Sequence, residues 1–230
     1  LGRQTSTWIG TDDTPTSGSW SPTNLAGSDM VIVSESFYDQ ATPGSGASQF
    51  IDGNLTESRT YIAQGVHLST VYGYDWRDRM TDVRGPDGVA VHYVMNNLGE
   101  TTLVQTYVDA DSDLVLDEGE LRAQSGSEYD ELGRVFHSVV YSVVDGEAQA
   151  AGTLGSYLWF DARGQVIKSM GPDGVFSKAQ HDGVGRTVVS YAGFDATEPA
   201  PGATGNWAAA ASETGDTVIS RTETIYNGDL

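Results

Sequence analysis

The sequence predicts an all-β fold, an array of antiparallel β-hairpins laid down in chain order. Three observations carry this. A six-residue phrase recurs: an aromatic, Asp, two variable residues, Gly, then a long polar or basic residue. A second turn, Gly-Pro-Asp-Gly, occurs twice at a matching distance from that phrase. The segments between turns alternate apolar and polar residues, and no long segment has a helical period. Turns recurring at fixed spacing mark repeat architecture, which decides the fold before any single site does.

The clearest phrase is Tyr129-Asp130-Glu131-Leu132-Gly133-Arg134. It recurs as Phe160-Asp161-Ala162-Arg163-Gly164-Gln165 and His181-Asp182-Gly183-Val184-Gly185-Arg186. Weaker copies are Tyr74-Asp75-Trp76-Arg77-Asp78-Arg79 and Met95-Asn96-Asn97-Leu98-Gly99-Glu100. Tyr74 to Met95 and Phe160 to His181 each span 21 positions, and Gly85-Pro86-Asp87-Gly88 and Gly171-Pro172-Asp173-Gly174 each begin 11 positions after the aromatic. The two blocks therefore align without a gap at an offset of 86.

Each turn has a physical reason. The Asp carboxylate accepts hydrogen bonds from backbone N–H groups two or three residues on. Gly three residues later supplies a positive φ that a β-carbon would penalise. Together they make a type I turn closed by a bulge between antiparallel strands. In Gly-Pro-Asp-Gly, Pro presets φ at the second position and the last Gly takes the left-handed one. Each unit is thus a hairpin of roughly 20 residues. Between the turns, Val135-Phe136-His137-Ser138-Val139-Val140-Tyr141-Ser142-Val143-Val144 and Val188-Val189-Ser190-Tyr191 read as strands. The 28 Gly exceed the usual share of about 7%, and Thr, Ser, Val and Tyr suit half-exposed strands.

These residues resemble the YD-repeat (Rhs) family, whose pattern is Tyr-Asp-x-x-Gly-Arg followed by an apolar residue. Tyr129 to Val135 matches it outright, and the resemblance covers most of residues 72–191. Fainter copies extend it: Phe37-Tyr38-Asp39 with Gly53-Asn54-Leu55-Thr56, and Tyr226-Asn227-Gly228. Leu1-Gly2-Arg3 matches Leu132-Gly133-Arg134, so residues 1–230 are expected to be one YD-repeat array cut from a longer parent chain. The resemblance implies a spirally wound sheet, part of a larger shell or solenoid. In bacterial toxins such sheets enclose a toxic polypeptide; in animal adhesion proteins a similar shell carries contact surfaces. Winding hides strand edges that would otherwise template aggregation.

Three stretches interrupt the repeat. Residues 10–30 are rich in Thr, Ser, Gly and Pro, and residues 195–216 in Ala, Pro, Gly, Glu and Thr. Both read as surface loops, inert or in contact with partners, with Trp8, Trp20 and Trp207 as anchors. Residues 107–124 form an acidic insertion, because Met95 and Tyr129 are 34 positions apart instead of 21. Within it, Asp109, Asp111 and Asp113 take positions 1, 3 and 5 of an EF-hand or dockerin-type calcium loop. The Val115 carbonyl takes position 7, Asp117 position 9 and Glu120 position 12. Six to eight hard oxygens are what calcium requires. Leu114 stands where that loop has Gly, and no flanking helices are evident. Two readings fit: a structural calcium staple, or a solvated acidic hairpin tip.

The chain carries 32 acidic and 12 basic residues, a formal net charge of −20. Nucleic acid phosphates and anionic membranes would repel it. Solubility explains the charge, as does binding of divalent cations. There is no Cys, and no apolar run approaches the roughly 20 residues of a membrane span. His67, His92, His137 and His181 lack metal-ligand spacing, and His181 occupies the aromatic position of a phrase. No nucleophile elbow or phosphate loop is present, so no catalytic residue is assigned and no enzyme is expected. The turn residues Tyr74, Asp75, Asp130, Gly133, Arg134, Asp161, Gly164, Asp182, Gly185 and Arg186 are read as structural. Asn54-Leu55-Thr56 fits a glycosylation sequon, a triplet that chance often supplies.

Two functions from different classes follow. The first is a wall segment of a secreted or cell-surface protein that encloses and delivers a polypeptide. The second is an extracellular adhesion or matrix array that binds a protein or glycan and is stiffened by calcium.

Overall fold

The computed structural model describes residues 3–39, 53–110, 116–117, 119–194, 207, 210 and 212–226. Among them are 14 β-strands in a single sheet whose spatial order is the chain order. The all-β hairpin array is thus what forms. By contacts the chain divides into two compact units. The first comprises Leu1–Tyr93 and Gln105–Arg122, the second Val94–Val104 and Ala123–Leu230.

In the first unit run β1 (Ser6–Ile9), β2 (Val31–Tyr38), β3 (Leu55–Ala63), β4 (Val66–Tyr74) and β5 (Met80–Arg84). β6 (Val89–Met95) and β7 (Thr101–Val108) each contribute residues to both units. The second unit holds β8 (Leu121–Tyr129), β9 (Val135–Val144), β10 (Glu147–Phe160), β11 (Val166–Met170), β12 (Val175–His181), β13 (Thr187–Phe194) and β14 (Thr217–Glu223), apart from the first two residues of β8.

The turns fall into two sets. Every aromatic-Asp phrase joins an even-numbered strand to the next odd one, at one edge of the sheet. Both Gly-Pro-Asp-Gly turns join odd to even, at the other edge. There they share company with Asp145-Gly146 between β9 and β10, where φ is 51° and 80°. Those angles define the type I′ turn that Asp-Gly favours, because its twist matches that of the flanking strands.

At the aromatic-Asp turns that follow β2, β4, β8, β10 and β12 the register skips one residue of the outgoing strand. Tyr129 faces Val135 while Glu128 faces His137, so Phe136 is unpaired. Ile167 is passed over in the same way, because Phe160 faces Val166 and Trp159 faces Lys168. This is the expected bulge, and it has a packing consequence: Phe136 and Ile167 are both buried. Trp159, Ile167 and Ala210 form a core cluster flanked by Tyr157, Met170 and Trp207.

The interruptions are narrower than the sequence predicts at one place. β7 runs to Val108 and β8 starts at Leu121, so strand pairing consumes both ends of the 107–124 insertion. Residues 10–30 contain no strand, only the bridge between Ser21 and Asn24. Trp8 and Trp20 meet edge to face at 5.8 Å, which ties that excursion to β1. Of the 195–216 excursion, Trp207, Ala210 and residues 212–216 are described. Trp207 lies against Phe136 and Phe160, and Ala210 is buried, so this part lies on the sheet.

Candidate functional site

The aromatic-Asp edge is built from one repeated set of contacts. In the 129–134 phrase, Asp130 Oδ1 accepts from the N–H of Leu132 and of Arg134, each at 2.9 Å. Its other oxygen accepts from Arg134 Nε at 2.6 Å. The Gly133 N–H donates to the Asp130 carbonyl, and the Asp130 N–H donates to the Arg134 carbonyl. Asp75 with Arg77 and Arg79, and Asp182 with Val184 and Arg186, repeat every one of these side-chain bonds. Asp161 makes the two backbone bonds, to Arg163 and Gln165. The carboxylate therefore caps N–H groups two and four residues on, where the sequence predicts two or three. The difference is physical: the third N–H, that of Gly, is already used by the turn carbonyl.

The left-handed position is filled as expected by Gly99, Gly133, Gly164 and Gly185, with φ between 74° and 90°. In the 74–79 phrase Asp78 takes it at φ 60°, which Asp tolerates better than most residues. The 95–100 phrase inverts the polarity. Asn96 Oδ1 accepts from the Leu98 and Glu100 N–H groups, while its Nδ2 donates to Glu100 at 2.6 Å. Asp with Arg, or Asn with Glu, thus closes the same turn.

In five phrases the sixth residue also reaches the following phrase. Arg134 lies over Phe160 at 4.4 Å and over Trp207 at 5.3 Å. Arg186 lies over Tyr226 at 4.3 Å, and Arg3 over Tyr38 at 5.0 Å. Gln165 Nε2 donates to the Gly185 carbonyl at 2.8 Å. Asn54, sixth in the phrase that begins at Tyr38, donates to Asp78 at 3.1 Å, so its amide belongs to this ladder. Tyrosine hydroxyls answer in the reverse direction. Tyr74 donates to the Leu55 carbonyl, Tyr129 to Thr101 and Tyr226 to Thr187, at 2.9 to 3.0 Å.

Electrostatics follow from this geometry. The Arg79 hydrogen bond, helped by backbone N–H groups, holds the Asp75 carboxyl below its usual range. Burial pushes Asp130 upward, but the Arg134 side chain and the backbone N–H groups outweigh it and lower the carboxyl. Backbone donation from Arg186 leads the same lowering at Asp182. A carboxylate tied down by an arginine and two amides is fixed in its ionised form, which suits a structural role and not proton transfer.

A second polar constellation lies on the sheet face of the second unit. Trp159, Lys168, Lys178, Tyr191 and Arg221 face one another in register across β10 to β14. Lys168 and Lys178 are each only 1% exposed. Lys168 Nζ sits over Trp159 at 4.6 Å, and Lys178 Nζ over Phe176 at 4.9 Å. Lys178 also donates to Asp216 and to the Ser212 carbonyl, each at 2.6 Å. The offset of 86 maps Lys168 and Lys178 onto Asp82 and His92 of the first unit. Those two also face each other, with His92 Nδ1 2.7 Å from Asp82. That hydrogen bond raises the His92 pKa against the effect of burial. Burial likewise raises Asp82, but His92 and Thr81 outweigh it and lower the carboxyl.

In the acidic loop, the Glu120 carboxylate is turned inward and accepts from the Ala110 N–H at 2.6 Å and the Asp117 N–H at 3.4 Å. The Asp109 N–H donates to the Gly88 carbonyl. Asp111, Asp113 and Val115 lie outside the described residues. Among the described residues, no group of three or more carboxylate or imidazole side chains converges as a metal site would require.

No family model matches the chain, and no curated protein matches it. Among the similar solved structures are three that contain TcdB2-TccC3. The TcdB2-TccC3-TEV structure is 14% identical over 72% of this chain and 10% of that chain, with a TM-score of 0.36. TcdB2-TccC3 without its hypervariable C-terminal region is 14% identical over 73% and 10%, with a TM-score of 0.35. TcdB2-TccC3-Cdc42 is 15% identical over 72% and 10%, with a TM-score of 0.33. The chain spans about a tenth of the length of those chains.

Of the residues singled out from sequence, all the turn residues fall in even-to-odd connections, and within each unit inter-phrase contacts link successive turns. Asp109, Asp117 and Glu120 fall on the opposite edge, in a separate loop. The lysine row is absent from that reading. One signal for it was present: the gap-free alignment at offset 86 pairs two charged residues with two titratable ones at the same strand positions.

Proposed function

We propose that this chain is a structural segment of a secreted or cell-surface Rhs/YD-repeat protein, part of the wall of a β-shell that encloses and delivers a polypeptide. One observation carries the reading. In five phrases the sixth residue rests on the next phrase, so those hairpins are completed by their successors. A surface built this way propagates by stacking and has no natural stopping point short of a closed or capped array. The residues are spent on turns and stacking, with the turn carboxylates tied to arginine, so the reading needs no catalytic role for them. Its chemistry is that of a container: rigid, acidic and soluble.

A second reading, an adhesion or matrix array, draws on a different observation. The rings of His137 and Tyr157 stack 4.3 Å apart and nearly parallel, beside a shallow pocket of about 320 Å³ lined also by Thr153, Met170 and Pro172. A flat aromatic patch of this kind takes a sugar ring or an apolar side chain. In either reading, calcium at Asp109, Asp111, Asp113, Val115, Asp117 and Glu120 would staple the acidic loop.

Electron microscopy of the intact parent protein tests the proposal. A closed hollow shell with density inside is the expected result. An open ribbon or filament would overturn the container reading and leave the adhesion reading standing.

A further inference from the structure

The ion pair between Lys178 and Asp216 is arranged for a covalent step. Lys178 Nζ lies 2.6 Å from Asp216 Oδ2, and each side chain is 1% exposed. The two residues are 38 positions apart, one on β12 and the other in the segment that lies over the sheet. We propose that Lys178 and Asp216 are joined by an isopeptide bond, formed without a separate enzyme when that segment folds onto the strands.

Three features favour the amide over a simple ion pair. First, taking two charges out of water costs more than their attraction often returns, and an amide carries neither charge. Second, Lys168 stands directly opposite Lys178 in register and is buried to the same degree. Like charges facing each other across paired strands destabilise a sheet, and amide formation removes one of them. Third, the hydrogen bonding survives the reaction. An amide nitrogen keeps one N–H, and the Ser212 carbonyl already sits 2.6 Å from Lys178 Nζ to accept it.

The step balances. Proton transfer along the 2.6 Å contact turns the ammonium and carboxylate into a free amine and a carboxylic acid. The Nζ–Cγ bond forms, one Cγ–O bond breaks, and the departing oxygen leaves as water with one proton from the acid and one from the amine. No oxidant, reductant or other reactant enters. Holding amine and carboxyl together makes the reaction effectively unimolecular, a gain of roughly 10⁵–10⁸ M in effective concentration for well-oriented groups. The near-complete burial of both side chains, with Lys178 Nζ over the Phe176 ring, excludes the water that would drive hydrolysis. The product is a cross-link that fixes the covering segment to β12 whatever the state of the hydrogen bonds around it. It is independent of the wall reading.

Intact-mass measurement of the purified protein under denaturing conditions tests this. The expected mass is lower than that of the sequence by one water, and digestion yields a branched peptide joining Lys178 to Asp216. Lys178→Met and Asp216→Ala each restore the full sequence mass. Asp216→Asn gives the same linked product with loss of ammonia instead of water. A native protein with its full sequence mass overturns the proposal, whether or not the variants fold. So does a water loss that persists in Lys178→Met, which would mark a dehydration elsewhere.

Discussion

Replacing Asp130 tests whether the turn carboxylate holds the array together or merely decorates it. Its side chain is 3% exposed and that of its partner Arg134 is 24% exposed. Asp130→Ala removes two backbone-amide bonds and the arginine pair together. Breaking a buried pair typically costs 3–5 kcal/mol. Arg134 can recover part of its hydration, which places the expected loss near the low end, about 3–4 kcal/mol. Asp130→Asn separates the contributions. Asn96 shows that an amide oxygen caps the same two N–H groups, so Asn at 130 keeps the turn and loses only the charge pair. Its expected cost is about 1–2 kcal/mol. The double variant Asp130→Asn with Arg134→Glu copies the 96–100 phrase and is expected to recover part of that loss. Thermal unfolding reads these out, with about 2–4 °C of Tm expected per kcal/mol for a chain of this size. An Asp130→Ala protein within about 0.5 kcal/mol of the parent would refute the reasoning. Equal losses for Ala and Asn would show that the two amide bonds contribute nothing.

Three further expectations follow from the same geometry. Gly133 has φ 74°, and a Cβ there would meet Glu100 Oε1 at 3.0 Å, so Gly133→Val is expected to cost about 2 kcal/mol or more in urea unfolding; a neutral result would contradict the turn assignment. The Asp82–His92 pair sets a pH window. Asp82 is lowered from 3.8, so its contribution is present above that value and lost as pH falls through its folded pKa. His92 is raised from 6.5, so its contribution is complete below that value and lost as pH rises through its folded pKa. Stability from the pair is therefore greatest between those limits, and His92→Gln is expected to flatten the decline of Tm above about pH 6.5; an unchanged profile would show that the pair does not couple to folding. If the acidic loop holds calcium, a chelator lowers Tm in the parent and not in Asp111→Ala, and an identical melting curve with and without chelator would exclude the staple.

The hairpin plan was legible because turn chemistry is local. Asp130, Gly133 and Arg134 determine their turn within six residues, and the 21-residue spacing carries that pattern along the chain. One of the two capping positions lies beyond the range the sequence predicts, because the competing use of the Gly133 N–H shows only once the turn is closed. The stacking of Arg134 on Phe160 spans two hairpins and has no local signature. Lys168 and Lys178 were missed for a related reason. A lysine in a strand ordinarily reads as solvent-facing, and only the covering segment with Asp216 makes the position interior. The same holds for Trp207, whose anchoring role was anticipated but whose partners, Phe136 and Phe160, depend on the bulges that bring those side chains inward.

The chain-order arrangement of the sheet also bears on how the protein is made. All-β domains usually fold slowly because their strand pairings join distant parts of the chain. Here each strand pairs with its sequence neighbours, so most pairings close spans of roughly 10–15 residues, as between Lys168 and Lys178 or Gly126 and Val139, and the entropic cost of each closure stays small. A hairpin leaving the ribosome finds its template already in place in the hairpin before it. Synthesis and folding can then advance together, one turn behind the other, without waiting for the far end of the chain.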